Sequence, residues 1–357
     1  MEFTVLSAGD ILPHTSVYEA ARQPDGRYDF THQLAASAAH VRGADLALCS
    51  LEIPIAPEGT APSGYPTFGA PKELIAGLKE TGWDGCTIAT NHTADRGFAG
   101  LEATLTAFAE QGLGTTGAGR SDAERERPAF YRLSKDGRTI TVAHVAGTYG
   151  LNGYPDPGRG YQAVNLLADL AEQARLAREG GADVVVVSPH WGVEYQSEPT
   201  AQQRDLAEEL VAGGNVDAII GAHPHVPQAI AELEAPDGSA VPVIYSTGNF
   251  FSGQDEACCV RQTATGVMVR VTLLADDDGV RVTAMDYTPV TMDLPAGRMQ
   301  YLLTELQEGE RPEGVTLSEQ VIAARWEALL ATMGSDRLVR EPAVGGAEVE
   351  YLGEDSP

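Results

Sequence analysis

Short apolar runs alternate with amphipathic segments along the first two thirds of the chain. The runs are rich in β-branched residues and each ends in a polar residue, which is typical of buried strands. The predicted strands cover residues 3–8, 46–51, 86–89, 184–188 and 218–220. The predicted helices cover residues 31–41, 71–80, 98–111, 166–179 and 202–212. Strand–helix alternation predicts an α/β fold with parallel strand pairs.

Three Asp-Gly turns add antiparallel strands to this pattern. Each lies between two alternating segments, at Asp136-Gly137, Asp237-Gly238 and Asp278-Gly279. Asp-Gly in that setting is a strong hairpin signal, so the sheets should be mixed. A further helix is predicted near residues 317–333. We expect a catalytic domain over residues 1–290, followed by a C-terminal helical extension and acidic tail over residues 291–357.

Charge narrows the range of partners. The chain has 357 residues, 51 acidic and 24 basic, and a formal net charge of -27. Such a surface repels nucleic acid and anionic membranes, so neither is expected as a partner. No run approaches the roughly 20 apolar residues of a membrane span, and the N-terminus does not resemble a signal peptide. We therefore expect a cytoplasmic protein, whose oligomeric state the sequence leaves open.

The four cysteines show no metal-binding or redox spacing. Cys49 and Cys86 lie singly in apolar runs, and Cys258 and Cys259 are adjacent. No CxxC motif is present, and neighbouring cysteines pair only with strain. The expectation is four reduced thiols.

Residues that commonly bind metal ions follow every strong strand. They are Asp10, Glu52, Asn91 with His92, His190, and His223 with His225. Any one of them alone would usually be a turn or a cap. Because sites in open α/β sheets form at the carboxyl ends of strands, their common position predicts one shared pocket. Carboxylate, amide and imidazole ligands suit Mn, Fe, Zn or Ni.

His92 and Asp95 are three residues apart and would share a face if a helical turn begins there. An aspartate beside a histidine fixes its tautomer, which suits a general acid. The alternative is that Asp95 only caps the helix around Phe98. Glu194 could orient a ligand from the outer side of the site, and His14 could line it.

These motifs resemble the bacterial CapA capsule-synthesis (poly-γ-glutamate) family of the calcineurin-like metallophosphatase superfamily. The matching pieces are Gly9-Asp10, Leu51-Glu52, Asn91-His92 with Asp95 and Gly97, His190-Trp191-Gly192 with Glu194, Gly221-Ala222-His223-Pro224-His225, and Tyr245 to Phe250. They span about 70% of the chain. The resemblance implies a four-layer α/β/β/α sandwich with mixed sheets and a pocket for one or two divalent ions (Mn, Fe, Zn or Ca).

The resemblance also implies roles for single residues. Asp10 and His225 would bind the first ion, Glu52 would bridge, and the second ion would be bound by Asn91, His190 and His223. His92 would act as general acid, so the catalytic set is His92, Asp95 and Asp10. A hydroxide bridging the metals would be the nucleophile. Leu12 replaces a histidine that the superfamily usually carries, which would weaken the first site or suit it to Ca.

The expected activity is hydrolysis of a phosphoester or related bond in a small-molecule or peptide substrate. One alternative is a metal-dependent peptide epimerase of natural-product biosynthesis, in which His92 and Asp95 would move protons at a Cα atom. The other is a non-catalytic component of poly-γ-glutamate capsule synthesis.

Overall fold

A computed structural model describes residues 1–353 as two packed β-sheets with helices on both outer faces. The strands are β1 (Glu2–Leu12), β2 (Leu46–Leu51), β3 (Gly85–Thr87), β4 (Gly114–Thr116), β5 (Ala129–Lys135), β6 (Arg138–Thr148), β7 (Val184–His190), β8 (Ala218–Ile220), β9 (Ile230–Glu234), β10 (Ala240–Ile244), β11 (Asn249–Ser252), β12 (Thr265–Asp276), β13 (Gly279–Asp293), β14 (Met299–Leu302) and β15 (Glu348–Tyr351). The helices are α1 (Thr15–Ala20), α2 (Ala38–Gly43), α3 (Glu73–Thr81), α4 (Gly97–Glu110), α5 (Asp122–Glu126), α6 (Leu170–Glu179), α7 (Ala201–Ala212), α8 (Leu303–Gln307) and α9 (Glu319–Met333).

Both sheets are mixed, as the hairpin turns predict. The first has the order β14-β13-β12-β1-β2-β3-β4, with β11 also pairing with β1, and the second has the order β15-β5-β6-β7-β8-β10-β9. The central strands are parallel: β1, β2, β3 and β4 in one sheet, and β6, β7, β8 and β10 in the other. The hairpin strands add antiparallel pairs at the edges.

Alternating side chains divide the interior into three apolar layers. In β7, Val184 and Val186 point between the two sheets, while Val185 and Val187 belong to the layer that includes residues of α6 and α7. The same period of two assigns Leu48 of β2 to the layer between the sheets and Cys49 to the layer that includes residues of α3 and α4. Three layers of buried side chains between four layers of backbone are the predicted α/β/β/α sandwich.

The predicted elements are mostly found in place. The strands predicted at residues 46–51 and 218–220 have the predicted bounds, and the other three differ by a few residues at their ends. The helix predicted over residues 31–41 is shorter, because a turn and one 3-10 segment (Ala35–Ser37) precede α2. The short elements β4, β11 and β14 have too few residues for a periodic pattern to reveal them.

The residues after position 290 contribute to both sheets. β14 pairs with β13 in the first sheet, and β15 pairs with β5 in the second. Residues of α8 and α9 join the apolar layer between the sheets. The division at residue 290 stays a prediction, and part of the predicted acidic tail, residues 354–357, lies outside the described residues.

The expectation of four reduced thiols is wrong for this structure. Cys49 is bonded to Cys86, and Cys258 to Cys259. Cys49 and Cys86 are register partners on the neighbouring strands β2 and β3, so strand pairing brings their side chains together. That register depends on tertiary structure and leaves no spacing signal in the sequence. None of the helices within residues 1–353 is both long and apolar enough to cross a membrane.

Candidate metal centre

The carboxyl ends of central strands from both sheets meet at one edge of the sandwich. Asp10 lies near the end of β1, Glu52 follows β2 directly, and His190 is the last residue of β7. The loops after β3 and β8 contribute Asn91, His92, His223 and His225. All seven side chains are buried, and the contacts below bring them into one cluster.

His225 stands between the two carboxylates. Its Nδ1 lies 3.2 Å from Asp10 Oδ2, and its Nε2 lies 3.7 Å from Glu52 Oε1. Asn249, the first residue of β11, places its Oδ1 3.1 Å from the same Nδ1. Both His223 and His225 have positive φ, 98° and 61°. Such a backbone is costly for these side chains and is typical of functional sites, where surrounding contacts maintain it.

Asn91 and His190 form the other half of the cluster. The Oδ1 of Asn91 lies 2.9 Å from Nε2 of His190, which is 3.9 Å from Glu52 Oε1. The His190 and His223 rings lie 4.8 Å apart. Asn91 Nδ2 donates a hydrogen bond to Asn152 Oδ1 at 3.2 Å, so Asn152 fixes which end of the Asn91 amide faces His190.

Several buried polar atoms of this cluster have no hydrogen-bond partner. They are both carboxylate oxygens of Glu52, Oδ1 of Asp10, and Nδ1 of His190 and of His223. Ligand atoms of Glu52, His223 and His225 lie within 4.8 Å of one another. Buried polar groups are normally paired, and burying unpaired ones is costly. A divalent cation beside the Glu52 and Asp10 carboxylates would satisfy their unpaired oxygens, and with histidine nitrogens nearby the residues present fit such an ion.

Electrostatics support the same interpretation. Burial raises the pKa of Glu52 well above its usual value, although the nearby His225 opposes this. Burial lowers the pKa of His190 well below its usual value and that of His223 to about 3. For His225 the burial effect is outweighed by the Glu52 and Asp10 carboxylates, which raise its pKa to about 9. A bound cation would replace the protons that Glu52 and His225 otherwise hold, because metal ligands must be deprotonated.

His92 and Asp95 form a hydrogen-bonded pair beside the cluster. Asp95 Oδ2 lies 2.9 Å from His92 Nδ1 and accepts a hydrogen bond from the Phe68 N–H at 2.7 Å. The Phe68 ring meets the His92 ring edge to face at 4.9 Å. Asp95 does not cap α4, which begins after Arg96 without a side-chain cap. With Nδ1 engaged by Asp95, Nε2 is the nitrogen left for a substrate.

Other residues singled out in the sequence have different roles. Glu194 is exposed, whereas Trp191 is buried and donates from Nε1 to the Tyr245 carbonyl at 2.8 Å. His14 lies beside the site: its Nδ1 is 3.0 Å from the Leu12 carbonyl oxygen, and its ring is 5.4 Å from that of Phe68. Two further residues contact the cluster, Asn249 and Asn152, and the sequence pattern predicts no role for either. Asn249 lay within a matched motif, whereas Asn152 lies in a long loop without any motif.

Comparison with known proteins identifies the family. Residues 4–254 match the family described as bacterial capsule synthesis protein PGA_cap. The chain belongs to this PGA_cap family. It is 28% identical over 263 residues to the capsule biosynthesis protein CapA of Bacillus anthracis, covering 71% of this chain and 60% of the relative. It is 35% identical over 192 residues to the PGA biosynthesis protein CapA of Bacillus subtilis, covering 51% and 46%. The chain thus spans about half the length of these relatives.

A solved structure shows the same fold. The NAD nucleotidase of Haemophilus influenzae aligns with 92% of this PGA_cap chain and 67% of its own, at a TM-score of 0.50 and 13% identity. The calcineurin-like phosphoesterase YfkN of Bacillus subtilis aligns with 92% and 96%, at a TM-score of 0.45 and 14% identity. The predicted four-layer α/β/β/α fold with mixed sheets is confirmed. The metal and catalytic roles of the single residues stay predictions.

Proposed function

We propose that this PGA_cap protein is a metal-dependent hydrolase that acts on a phosphoester or related bond. The observation that carries the proposal is the set of buried, unpaired carboxylate oxygens of Glu52 and Asp10 beside the His223 and His225 rings. A protein that used this edge only for structure would pair those oxygens with hydrogen-bond donors. In this proposal Asp10 and His225 bind one divalent ion, Asn91, His190 and His223 bind a second, and Glu52 lies between them.

A divalent ion at this position supplies an activated water molecule and stabilises negative charge on the substrate. The surrounding chain holds the donors in place. His225 is oriented by Asn249, and Asn91 is oriented by Asn152. Mixed oxygen and nitrogen donors favour Mn, Fe or Zn, and Ca remains an alternative for the Asp10 side, where Leu12 offers no imidazole.

His92 is proposed to donate a proton to the leaving group. Asp95 holds the proton of Nδ1 in place and thereby fixes the tautomer of the ring. Phe68 binds Asp95 through its backbone N–H and packs on the imidazole, so both members of the pair are held by one residue. General acids of this kind contribute about 10²–10⁴-fold to the rate.

The names of the relatives favour a second candidate, which is participation in making a poly-γ-glutamate capsule. Both Bacillus relatives are named for biosynthesis. In that case the same centre would act on the polymer or its precursor, or would have a non-catalytic role in capsule synthesis. The epimerase alternative uses the same His92–Asp95 pair for proton transfer at carbon and has no support beyond that pair.

Heavy-isotope water distinguishes these possibilities. The Mn-loaded protein would be incubated with an aryl phosphate, with γ-glutamyl oligomers and with peptides in ¹⁸O water and, separately, in D₂O. Hydrolysis places solvent oxygen in a product and leaves carbon-bound hydrogen unchanged. Deuterium uptake at a peptide carbon without cleavage would contradict hydrolysis and favour epimerisation. Absence of turnover in all three substrate classes, by a protein that has retained its metal, would favour the non-catalytic role.

Matched variants separate chemistry from metal binding. We expect His92→Asn to keep its metal while losing at least about 100-fold in rate. His190→Ala should lose metal, as measured by elemental analysis of protein prepared without chelator. If His92→Asn loses metal as completely as His190→Ala, His92 is a ligand and the acid lies elsewhere.

A further inference from the structure

Exposed aromatic side chains are concentrated around the candidate metal centre. The exposed fractions are 80% for Tyr65, 44% for Tyr149, 40% for Tyr154 and 37% for Tyr195. These four residues, here called the tyrosine rim, come from three separate loops. Clustered exposed aromatic side chains are unusual on a protein surface and mark binding sites.

Two members of the rim lie against the proposed metal-binding histidines. The Tyr149 ring is 4.6 Å from the ring of His223, and the Tyr195 ring is 6.0 Å from that of His225. The Tyr195 N–H also donates to the Pro224 carbonyl at 2.8 Å. Tyr195 has a φ of 65°, a costly conformation for a bulky residue, so its place beside the centre is specifically maintained.

The other two members lie on the side of His92. The Tyr65 ring is 6.4 Å from Phe68, whose own ring is 4.9 Å from His92. The Tyr154 hydroxyl is 3.0 Å from Thr67 Oγ1, which links the two loops. The rim therefore reaches from the metal-binding side to the proposed proton donor, where the leaving part of a substrate would lie.

The charge near the rim is negative. Glu194 is exposed next to Tyr195 in the chain. The whole chain also has a formal net charge of -27, which disfavours the approach of anions.

Two cationic side chains of the adjoining segments contact neutral groups. Arg96 donates to Ser63 Oγ at 2.6 Å and to Thr60 Oγ1 at 3.0 Å. Arg159 stacks over the Phe98 ring at 4.0 Å. An anionic group beside Tyr195 would lie near the exposed Glu194 and the electron-rich faces of tyrosines.

From these observations we infer that the tyrosine rim binds the non-reacting part of the substrate, an uncharged group with a ring that stacks on tyrosine. We expect a carboxylate in that part to weaken binding. The inference rests on the proposed function, because it places the reacting bond at the metal centre. Aromatic and sugar rings share this stacking chemistry.

Binding of phosphonates tests the inference without requiring turnover. Calorimetry with the Mn-loaded protein would compare methylphosphonate, phenylphosphonate and 4-carboxyphenylphosphonate. We expect phenylphosphonate to bind at least about fivefold more tightly than methylphosphonate, the scale of one aromatic contact. The added carboxylate should remove most of that gain. Benzylphosphonate and a glucosyl phosphonate would then show whether an aromatic or a sugar ring is preferred.

Tyr65→Ala is the decisive variant, because this most exposed side chain is outside the proposed metal and catalytic set. We expect it to reduce the preference for phenylphosphonate over methylphosphonate while leaving methylphosphonate binding unchanged. Tyr65→Phe should retain the preference. Val344→Ala, at an apolar position that is 94% exposed, is the control.

The outcomes separate this inference from the proposed function. Equal affinity for the methyl and phenyl compounds, tighter binding of the carboxylated one, or no effect of Tyr65→Ala would overturn the inference. Failure to bind phenylphosphonate would also overturn it. If ring binding depends on the tyrosine rim but no ester is hydrolysed, the inference about the rim is confirmed and the proposed hydrolase activity is wrong.

Discussion

At the scale of single residues, the candidate centre depends on neighbours that set the orientation of its polar groups. Asn91 is an example, because its amide could face His190 with either the oxygen or the nitrogen. Asn152 accepts from Asn91 Nδ2, so Oδ1 faces His190. Asn152 itself adopts a φ of 51° and receives a second hydrogen bond from the Tyr149 hydroxyl at 3.3 Å.

Replacing Asn152 should therefore weaken metal binding. We expect Asn152→Ala to lower metal affinity about 10-fold, the lower end of the effect of removing a group that orients a ligand. Titration calorimetry of metal-free protein with Mn would measure it. Asn215→Ala, in the loop before β8, is the control. Unchanged affinity in Asn152→Ala would show that Asn91 is oriented without it or is not a ligand.

Another residue-scale prediction concerns stability in acid. His144 is buried, lies 2.8 Å from Ser188 Oγ through Nε2, and has its pKa lowered by burial from 6.5 to about 3. Below pH 6.5 the unfolded chain takes up a proton that the folded protein does not. The free energy of unfolding should therefore fall by about 1.4 kcal/mol per pH unit from this residue alone, until about pH 3.

His144→Gln removes that contribution and keeps a group able to bond Ser188. Denaturant unfolding between pH 7 and pH 4 should show a smaller loss of stability in the variant than in the parent protein. His32→Gln, at an exposed position, should follow the parent. Parallel pH profiles for the parent and His144→Gln would contradict the prediction.

At the scale of elements, the contact between β1 and β11 positions Asp10. The Asp10 N–H donates to the Gly248 carbonyl at 3.0 Å. A Cβ atom on Gly9 would collide with that carbonyl and with the Thr247 hydroxyl. The strands can approach this closely only because residue 9 has no side chain.

Gly9→Ala should therefore destabilise the protein by about 1–3 kcal/mol and also weaken metal binding, because Asp10 would be displaced. Thermal unfolding and metal titration would measure the two effects. Gly150→Ala is the control, since a Cβ there meets nothing within 4 Å. A variant that lost stability but bound metal normally would show that Asp10 is not a ligand.

At the scale of the whole molecule, the C-terminal segment completes the second sheet. β15 pairs with β5, and the Tyr351 ring packs 5.4 Å from that of Tyr131. The Ala347 N–H donates to Asp45 Oδ1 at 3.0 Å, which ties this segment to the chain just before β2. Without β15, β5 would become an exposed edge strand, and such edges promote aggregation.

A chain ending at residue 343 should therefore have a lower melting temperature and aggregate more readily than the full chain. Light scattering during thermal unfolding measures both properties. A chain ending at Gly353 retains β15 and is the control. Equal melting temperatures would show that residues 344–353 add nothing to the stability of the sandwich.

The local hydrophobic pattern was sufficient to predict the main strands, because a strand buried on both faces requires a continuous apolar run. The runs at residues 46–51 and 218–220 became β2 and β8 without change. The Asp-Gly sequences were sufficient to predict the three hairpins, because the backbone preference of these two residues is local. The position of polar residues after strands was sufficient to predict that Asp10, Glu52 and the histidines would meet.

Tertiary structure decided what depends on contacts between distant segments. The pairing of Cys49 with Cys86 follows from the register of two strands, and the orientation of Asn91 follows from Asn152, 61 residues away. The tyrosine rim is assembled from three loops that have no common sequence pattern. A sequence pattern indicates which side chains of a segment are buried or exposed and which local turns it favours. The features named above arise only when the two sheets pack and bring their loops together.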